Sequence, residues 1–76
     1  MNSYRTIAEG VCKVFEEVVK KNLNIEYSGP GVRWDNMNVG DVQSKMYIIK
    51  GEEKKFLNIT VMRVSSGMYE VKDYIV

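Results

Sequence analysis

The hydrophobic pattern of the chain changes from a helical period to a strand period. In the N-terminal part, apolar residues recur three or four positions apart, which places them on one side of a helix. Thr6 followed by Glu9 is typical of a capping box and predicts the start of that helix, while Asn2 or Ser3 could instead cap an earlier start; Asn22 predicts its end. We expect one helix of about 15 to 19 residues. Its apolar stripe comprises Ile7, Val11, Val14, Phe15, Val18 and Val19.

The C-terminal part alternates between apolar and polar positions, which is typical of strands. The pattern predicts three strands at 42–50, 56–64 and 68–76. The connections between them are short, so neighbouring strands must run antiparallel. A weaker alternation at 23–28 predicts a short strand that Gly29-Pro30-Gly31 ends. We interpret the following stretch, up to Asp41, as a long loop with room for one further short strand.

These elements predict an α+β fold in a single domain of residues 1–76. One N-terminal helix would pack on an antiparallel sheet of three to five strands that ends in a three-stranded meander. A single helix can cover only one face of such a sheet. The other face must then meet solvent, another part of the chain or another molecule.

Both faces of the predicted meander carry apolar side chains. The more continuous face is expected to meet the helix, and it comprises Tyr47, Ile49, Leu57, Ile59, Val61, Tyr69, Val71 and Ile75. The opposite face has Asn58, Thr60, Glu70 and Lys72 near its middle. Its apolar residues are Met46, Ile48, Phe56, Met62, Val64, Met68, Tyr74 and Val76.

The second face predicts a protein-interaction site, because methionine and aromatic side chains are enriched in interface cores. Its expected contact residues are Met46, Ile48, Phe56, Met62, Val64, Met68 and Tyr74, with Arg33 and Trp34 in the loop. Two other interpretations remain open: the face is partly polar and solvated, or residues 32–39 fold over it. Trp34 likewise has a second interpretation as a core residue at the open end of the helix–sheet layer, which the burial habits of tryptophan favour.

The amino-acid composition limits the kinds of site that the chain can form. The 76 residues include one cysteine and no histidine, and the formal net charge is +1. An internal disulfide is therefore excluded, zinc ligands are too few, and the commonest general base is missing. We expect no cofactor, no metal and no catalytic site. Cys12, at the edge of the helix stripe, is expected to be a small buried hydrophobic residue. A chain this short buries a small fraction of its surface on folding, so oligomerisation would add to its stability.

These observations predict a non-enzymatic protein-interaction domain that associates with itself, as a homodimer, or with another protein. Alanine is rare, lysine outnumbers arginine, and Asn, Ile, Tyr and Met are plentiful. This bias is typical of AT-rich genes and suggests a small phage or bacterial mobile-element protein that acts on a host protein. No apolar run is long enough for a membrane span, and the first residues are unlike a secretion signal, so a cytoplasmic location is expected.

An alternative is a module that binds single-stranded nucleic acid through lysine and tyrosine side chains on the sheet. Its residues would be Lys45, Tyr47, Lys54, Lys55, Arg63 and Tyr69. The small net charge disfavours this alternative, because such binding depends on neutralising phosphates. An enzyme is the weakest possibility: Arg33, Asp35 and Asp41 could meet in a cleft at the loop, and no reaction class follows from them.

Overall fold

A computed structural model describes residues 3–26, 34–51 and 55–75. The elements are β1 (Ser3–Tyr4), α1 (Ile7–Lys20), β2 (Val42–Ile48), β3 (Phe56–Ser65) and β4 (Met68–Ile75). The strands form one four-stranded sheet in the order β1-β4-β3-β2, and each neighbouring pair is antiparallel. The predicted α+β fold, with one helix on an antiparallel sheet and a closing three-stranded meander, is confirmed.

Both predicted ends of the helix are formed. Thr6 is the N-cap, and its hydroxyl accepts a hydrogen bond of 3.1 Å from the backbone N–H of Glu9. Asn22 follows the last turn in the left-handed region, with φ of 62°. The N–H of Leu23 then donates to the carbonyl of Val18 at 3.3 Å, the closing bond of a Schellman motif. The helix has 14 residues, slightly fewer than expected.

The core lies between α1 and the more continuous face of the sheet, which we call the helix-side face. Leu57, Ile59 and Val61 on the central strand β3 are fully buried. The predicted pairing of this face with the helix stripe is confirmed. The buried cluster contains Val11, Val14, Val18, Ile25, Met37, Tyr47, Ile49, Leu57, Ile59, Val61 and Val71.

The helix approaches the sheet most closely at Gly10. A Cβ atom at this position would lie 2.9 Å from the ring of Tyr4 and closer still to a methyl group of Val71. Tyr4 belongs to β1, which pairs with β4 and was not predicted. A strand of two residues is too short to show an alternation of apolar and polar residues, so the sequence could not predict it. Its position is set by its pairing with β4.

The predicted short strand at 23–28 is not formed in its described part. A single antiparallel bridge joins Ile25 to Ile49, and the N–H of Glu26 donates to the carbonyl of Ile48 at 2.9 Å. The N–H of Lys50 also donates to the carbonyl of Asn24 at 2.8 Å, and the pairing stops there because the chain turns at Lys50 and Gly51. Residues beyond Glu26 in this prediction lie outside the described residues.

The described part of the long loop packs on the helix-side face. The indole N–H of Trp34 donates to the hydroxyl of Tyr47 at 2.9 Å, and Met37 is buried in the core. The guanidinium of Arg63 donates to the carbonyl of Met37 at 2.6 Å. The loop from residue 34 to 39 therefore does not fold over the opposite face, and that interpretation is wrong for these residues. Val32 lies outside the described residues.

Candidate protein-interaction surface

The sheet face that points away from α1 is assembled in rows by the strand register. Residues on β2, β3 and β4 lie side by side in each row, as in Met46–Asn58–Tyr74. The next rows are Ser44–Thr60–Lys72 and Val42–Met62–Glu70. We call this surface the outer face, and it comprises Val42, Ser44, Met46, Ile48, Phe56, Asn58, Thr60, Met62, Met68, Glu70, Lys72 and Tyr74.

Large apolar side chains on the outer face are exposed. Tyr74 is 58% exposed, Met46 53% and Ile48 48%, and Val42 and Met68 are similarly open. An aromatic side chain offers about 150–250 Å², so these five half-exposed residues together present roughly 400–500 Å² of surface, in two parts that the Ser44–Thr60–Lys72 row separates. The largest apolar patch on a typical monomer covers about 300–600 Å², and such patches often have a function.

The polar residues in the middle of the outer face bond to one another. The hydroxyls of Ser44 and Thr60 are 2.8 Å apart, and the Thr60 hydroxyl donates to Oδ1 of Asn58 at 3.1 Å. Thr60 has one hydroxyl proton, so Ser44 must be the donor in the first bond. Asn58 is only 9% exposed although it lies on this face. If another molecule covers Ser44, Thr60 and Asn58, the two hydroxyls and Oδ1 of Asn58 keep their hydrogen bonds. The free-energy cost of removing water from these atoms is therefore lower.

A small hollow lies beside this triad. It is lined by Val42, Thr60, Met62, Glu70 and Lys72 and has a volume of about 190 Å³. Pockets that bind small molecules usually have volumes of about 300–1,000 Å³. The hollow is therefore better suited to a side chain of another polypeptide than to a small ligand.

Six of the predicted contact residues share the outer face: Met46, Ile48, Phe56, Met62, Met68 and Tyr74. Val64 is exposed but lies at the register shift between Arg63 and Ser65, which takes it out of the paired ladder. Trp34 belongs to the opposite side, where it is partly buried against the core. Arg33 lies outside the described residues. Sequence reasoning missed Val42, whose place in a row with Met62 becomes visible once β2 and β3 are aligned.

Tyr47, one of the two tyrosines of the alternative nucleic-acid surface, lies in the core. Tyr47 is 3% exposed, and the ring of Phe15 packs edge-on against it at 5.2 Å between centroids. Burial raises the pKa of the Tyr47 hydroxyl, an effect that the hydrogen bond from Trp34 partly opposes. The prediction that Tyr47 offers a stacking surface is therefore wrong, since neither side of its ring is open to a base.

The remaining members of that set do not form an open platform among the described residues. The guanidinium of Arg63 lies 5.7 Å from the ring centroid of Tyr69 and also donates to the loop carbonyl described above. Lys45 and Lys55 are on different strands or loops, and Lys54 lies outside the described residues. Arg63 and Tyr69 thus contact each other at one end of the helix-side face.

Cys12 is exposed, so the prediction of a buried residue is wrong. The buried line of α1 runs through Gly10, Val11, Val14 and Val18, and Cys12 faces away from it. Val19, also assigned to the predicted stripe, is exposed. The apolar stripe in the sequence is wider than the strip of helix that a small sheet can cover.

The two acidic residues of the loop form local hydrogen bonds, Asp41 through its carboxylate and Asp35 through its backbone. Asp41 accepts a hydrogen bond of 2.9 Å from the backbone N–H of Asn38, and the backbone N–H and C=O of Asp35 bond to the Gln43 side chain. Within residues 3–26, 34–51 and 55–75, no three His, Cys, Asp or Glu side chains lie close enough to hold a metal ion. In the same part of the chain, no helix has the length and hydropathy needed to cross a membrane.

Comparison with known proteins gives no relative: no family model, no curated protein and no solved structure matches the chain.

Proposed function

We propose that this chain is a non-enzymatic protein-interaction domain and that the outer face is its contact surface. One observation carries the proposal: exposed Met46, Ile48 and Tyr74 lie beside a polar triad whose members already form hydrogen bonds within the triad. Apolar groups gain free energy when they are covered, at roughly 25 cal/mol per Å². The triad, which would otherwise oppose coverage, keeps its hydrogen bonds.

The side-chain types suit a protein partner. Methionine is flexible and adapts to irregular surfaces, whereas tyrosine combines a large apolar ring with a polar end. The sheet beneath them is rigid, because β3 is paired on both sides along most of its length. The surface therefore offers adaptable contacts on a fixed support.

The size of the outer face sets the expected strength of the interaction. If each partner covers roughly 500 Å², the total buried area is about 1,000 Å², which is at the lower end for specific protein–protein interfaces. We therefore expect a reversible complex of moderate affinity rather than an obligate one.

Site-specific photo-crosslinking tests this proposal. A photo-reactive amino acid at Met46 samples the outer face, and the same group at Lys13 on α1 is a control at an equally open position. We expect a discrete protein adduct from position 46 and not from position 13, and we expect Tyr74→Asp in the same chain to abolish it. Absence of a discrete adduct, or identical adducts from both positions, would contradict the proposal.

The nucleic-acid alternative has no comparable observation in its favour. Its lysines remain on the surface at Lys45 and Lys55, but the burial of Tyr47 removes the first stacking residue. Stacking supplies much of the affinity of modules that bind single strands, so lysines alone would give only weak, salt-sensitive binding.

A further inference from the structure

We propose that the partner of the outer face is a second copy of this chain, packed face to face about a two-fold axis that runs along β3. This inference rests on the proposed function, because it requires the outer face to be a contact surface. It adds the identity of the partner and the orientation of the two sheets.

The first argument is the symmetry of the apolar side chains about β3. Met46 on β2 and Tyr74 on β4 flank Asn58 in one row, and they are almost equally exposed, at 53% and 58%. A two-fold axis along β3 places β2 of one copy opposite β4 of the other. Met46 of each copy then meets Tyr74 of the other copy, and this contact occurs twice. Contacts between methionine sulfur and aromatic rings are favourable.

The second argument is the distribution of charge. Both charged residues of the outer face, Glu70 and Lys72, lie on β4, whereas the row partners on β2 are Val42 and Ser44. The axis along β3 therefore places Lys72 opposite the Ser44 hydroxyl. An axis across the strands at the Thr60 row would instead place β4 opposite β4 and bring Lys72 close to its own copy, which is repulsive. The face as a whole is neutral, so two copies do not repel each other.

The third argument is how the remaining rows match. Phe56 and Met62 lie on β3, next to the proposed axis, and each meets its own counterpart. The axis brings Met62 of each copy to the hollow of the other copy, where this flexible side chain would fill it. Asn58 and Thr60 thus face their own counterparts, whereas Ser44 faces Lys72 and Val42 faces Glu70. The total area of about 1,000 Å² reaches the size that specific interfaces need.

Cysteine pairing tests both the partner and the axis. Cys12 is exposed and is first replaced in Cys12→Ser, which becomes the background for Met46→Cys and Tyr74→Cys. The two variants are mixed and treated with oxidised glutathione, which accepts the two electrons released when two thiols form a disulfide. We expect the mixed disulfide between positions 46 and 74 to predominate over either symmetric disulfide, because two cysteines can be bridged only when their Cα atoms lie within about 7 Å.

The outcomes separate this inference from the proposed function. A dominant symmetric disulfide at position 74 would overturn the axis along β3, and therefore the inference. A chain that sediments as a monomer at high concentration would overturn the second copy as partner. If position 46 then still photo-crosslinks to a discrete protein of different mass, the proposed function stands without the inference. Circular dichroism shows whether each cysteine variant is folded. If a variant is not folded, the mass of the unsubstituted chain in solution still decides whether two copies associate.

Discussion

Gly10→Ala should destabilise the protein, although helix propensity alone predicts the opposite sign. Alanine in a helix interior is favoured over glycine by about 0.8–1.0 kcal/mol. The added Cβ, however, would lie 2.9 Å from the Tyr4 ring and closer still to Val71. Overpacking of this kind costs about 1–3 kcal/mol. The two effects leave a net loss of about 1 kcal/mol, with a range from near zero to 2.

Urea denaturation followed by circular dichroism measures this change, and a double-mutant cycle identifies its cause. Val71→Ala removes the methyl group that meets the new Cβ, so the loss from Gly10→Ala should be smaller in the Val71→Ala background by about 1 kcal/mol. Ala8→Gly, at an exposed position in the first turn of α1, is the control and should cost at most about 1 kcal/mol through propensity. Stabilisation by Gly10→Ala would refute the close approach of helix and sheet.

Two further predictions concern the cap and the core tyrosine. Thr6→Ala should lower the free energy of unfolding by about 1 kcal/mol, because the Glu9 N–H loses its acceptor. Thr6→Ser keeps a hydroxyl and should retain most of that stability. Equal denaturant midpoints for the two variants would contradict the capping bond. The raised pKa of Tyr47 means that the unfolded chain loses this proton first, near pH 10.0, so stability is fully present below that pH and falls as pH rises above it. Tyr47→Phe has no hydroxyl to titrate, so its stability should not show this fall. The difference in stability between the unsubstituted chain and Tyr47→Phe should therefore shrink above pH 10.0, and a constant difference would contradict the raised pKa of Tyr47.

The local fold is largely predictable from sequence because its signals are local. Thr6 and Glu9 mark the helix start through a bond between near neighbours, and Asn22 marks its end through a left-handed conformation. The three strands of the meander begin at the predicted residues; β2 ends two residues earlier and β3 one residue later than predicted, and Val76, the predicted end of the last strand, lies outside the described residues. Period-two alternation and short connections suffice for an antiparallel meander.

Features that depend on packing between distant segments were not predictable. β1 has two residues and exists through its pairing with β4. The exposure of Cys12 and Val19 follows from how little of α1 the small sheet covers. The bonding among Ser44, Thr60 and Asn58 depends on the register between β2 and β3. Sequence suggested that these polar residues weaken the outer face as a contact surface, and their mutual bonding removes most of that objection.

The most direct test of the central claim is the concentration dependence of backbone amide chemical shifts in the ¹⁵N-labelled chain. Between about 10 μM and 1 mM, a range suited to an interface of this size, we predict shifts that cluster on the outer face, at positions such as Met46, Thr60 and Tyr74. Lys13 and Glu17 on α1 should remain unchanged. Tyr74→Asp should abolish the effect. Shifts confined to α1, or none over this range, would contradict a second copy on the outer face.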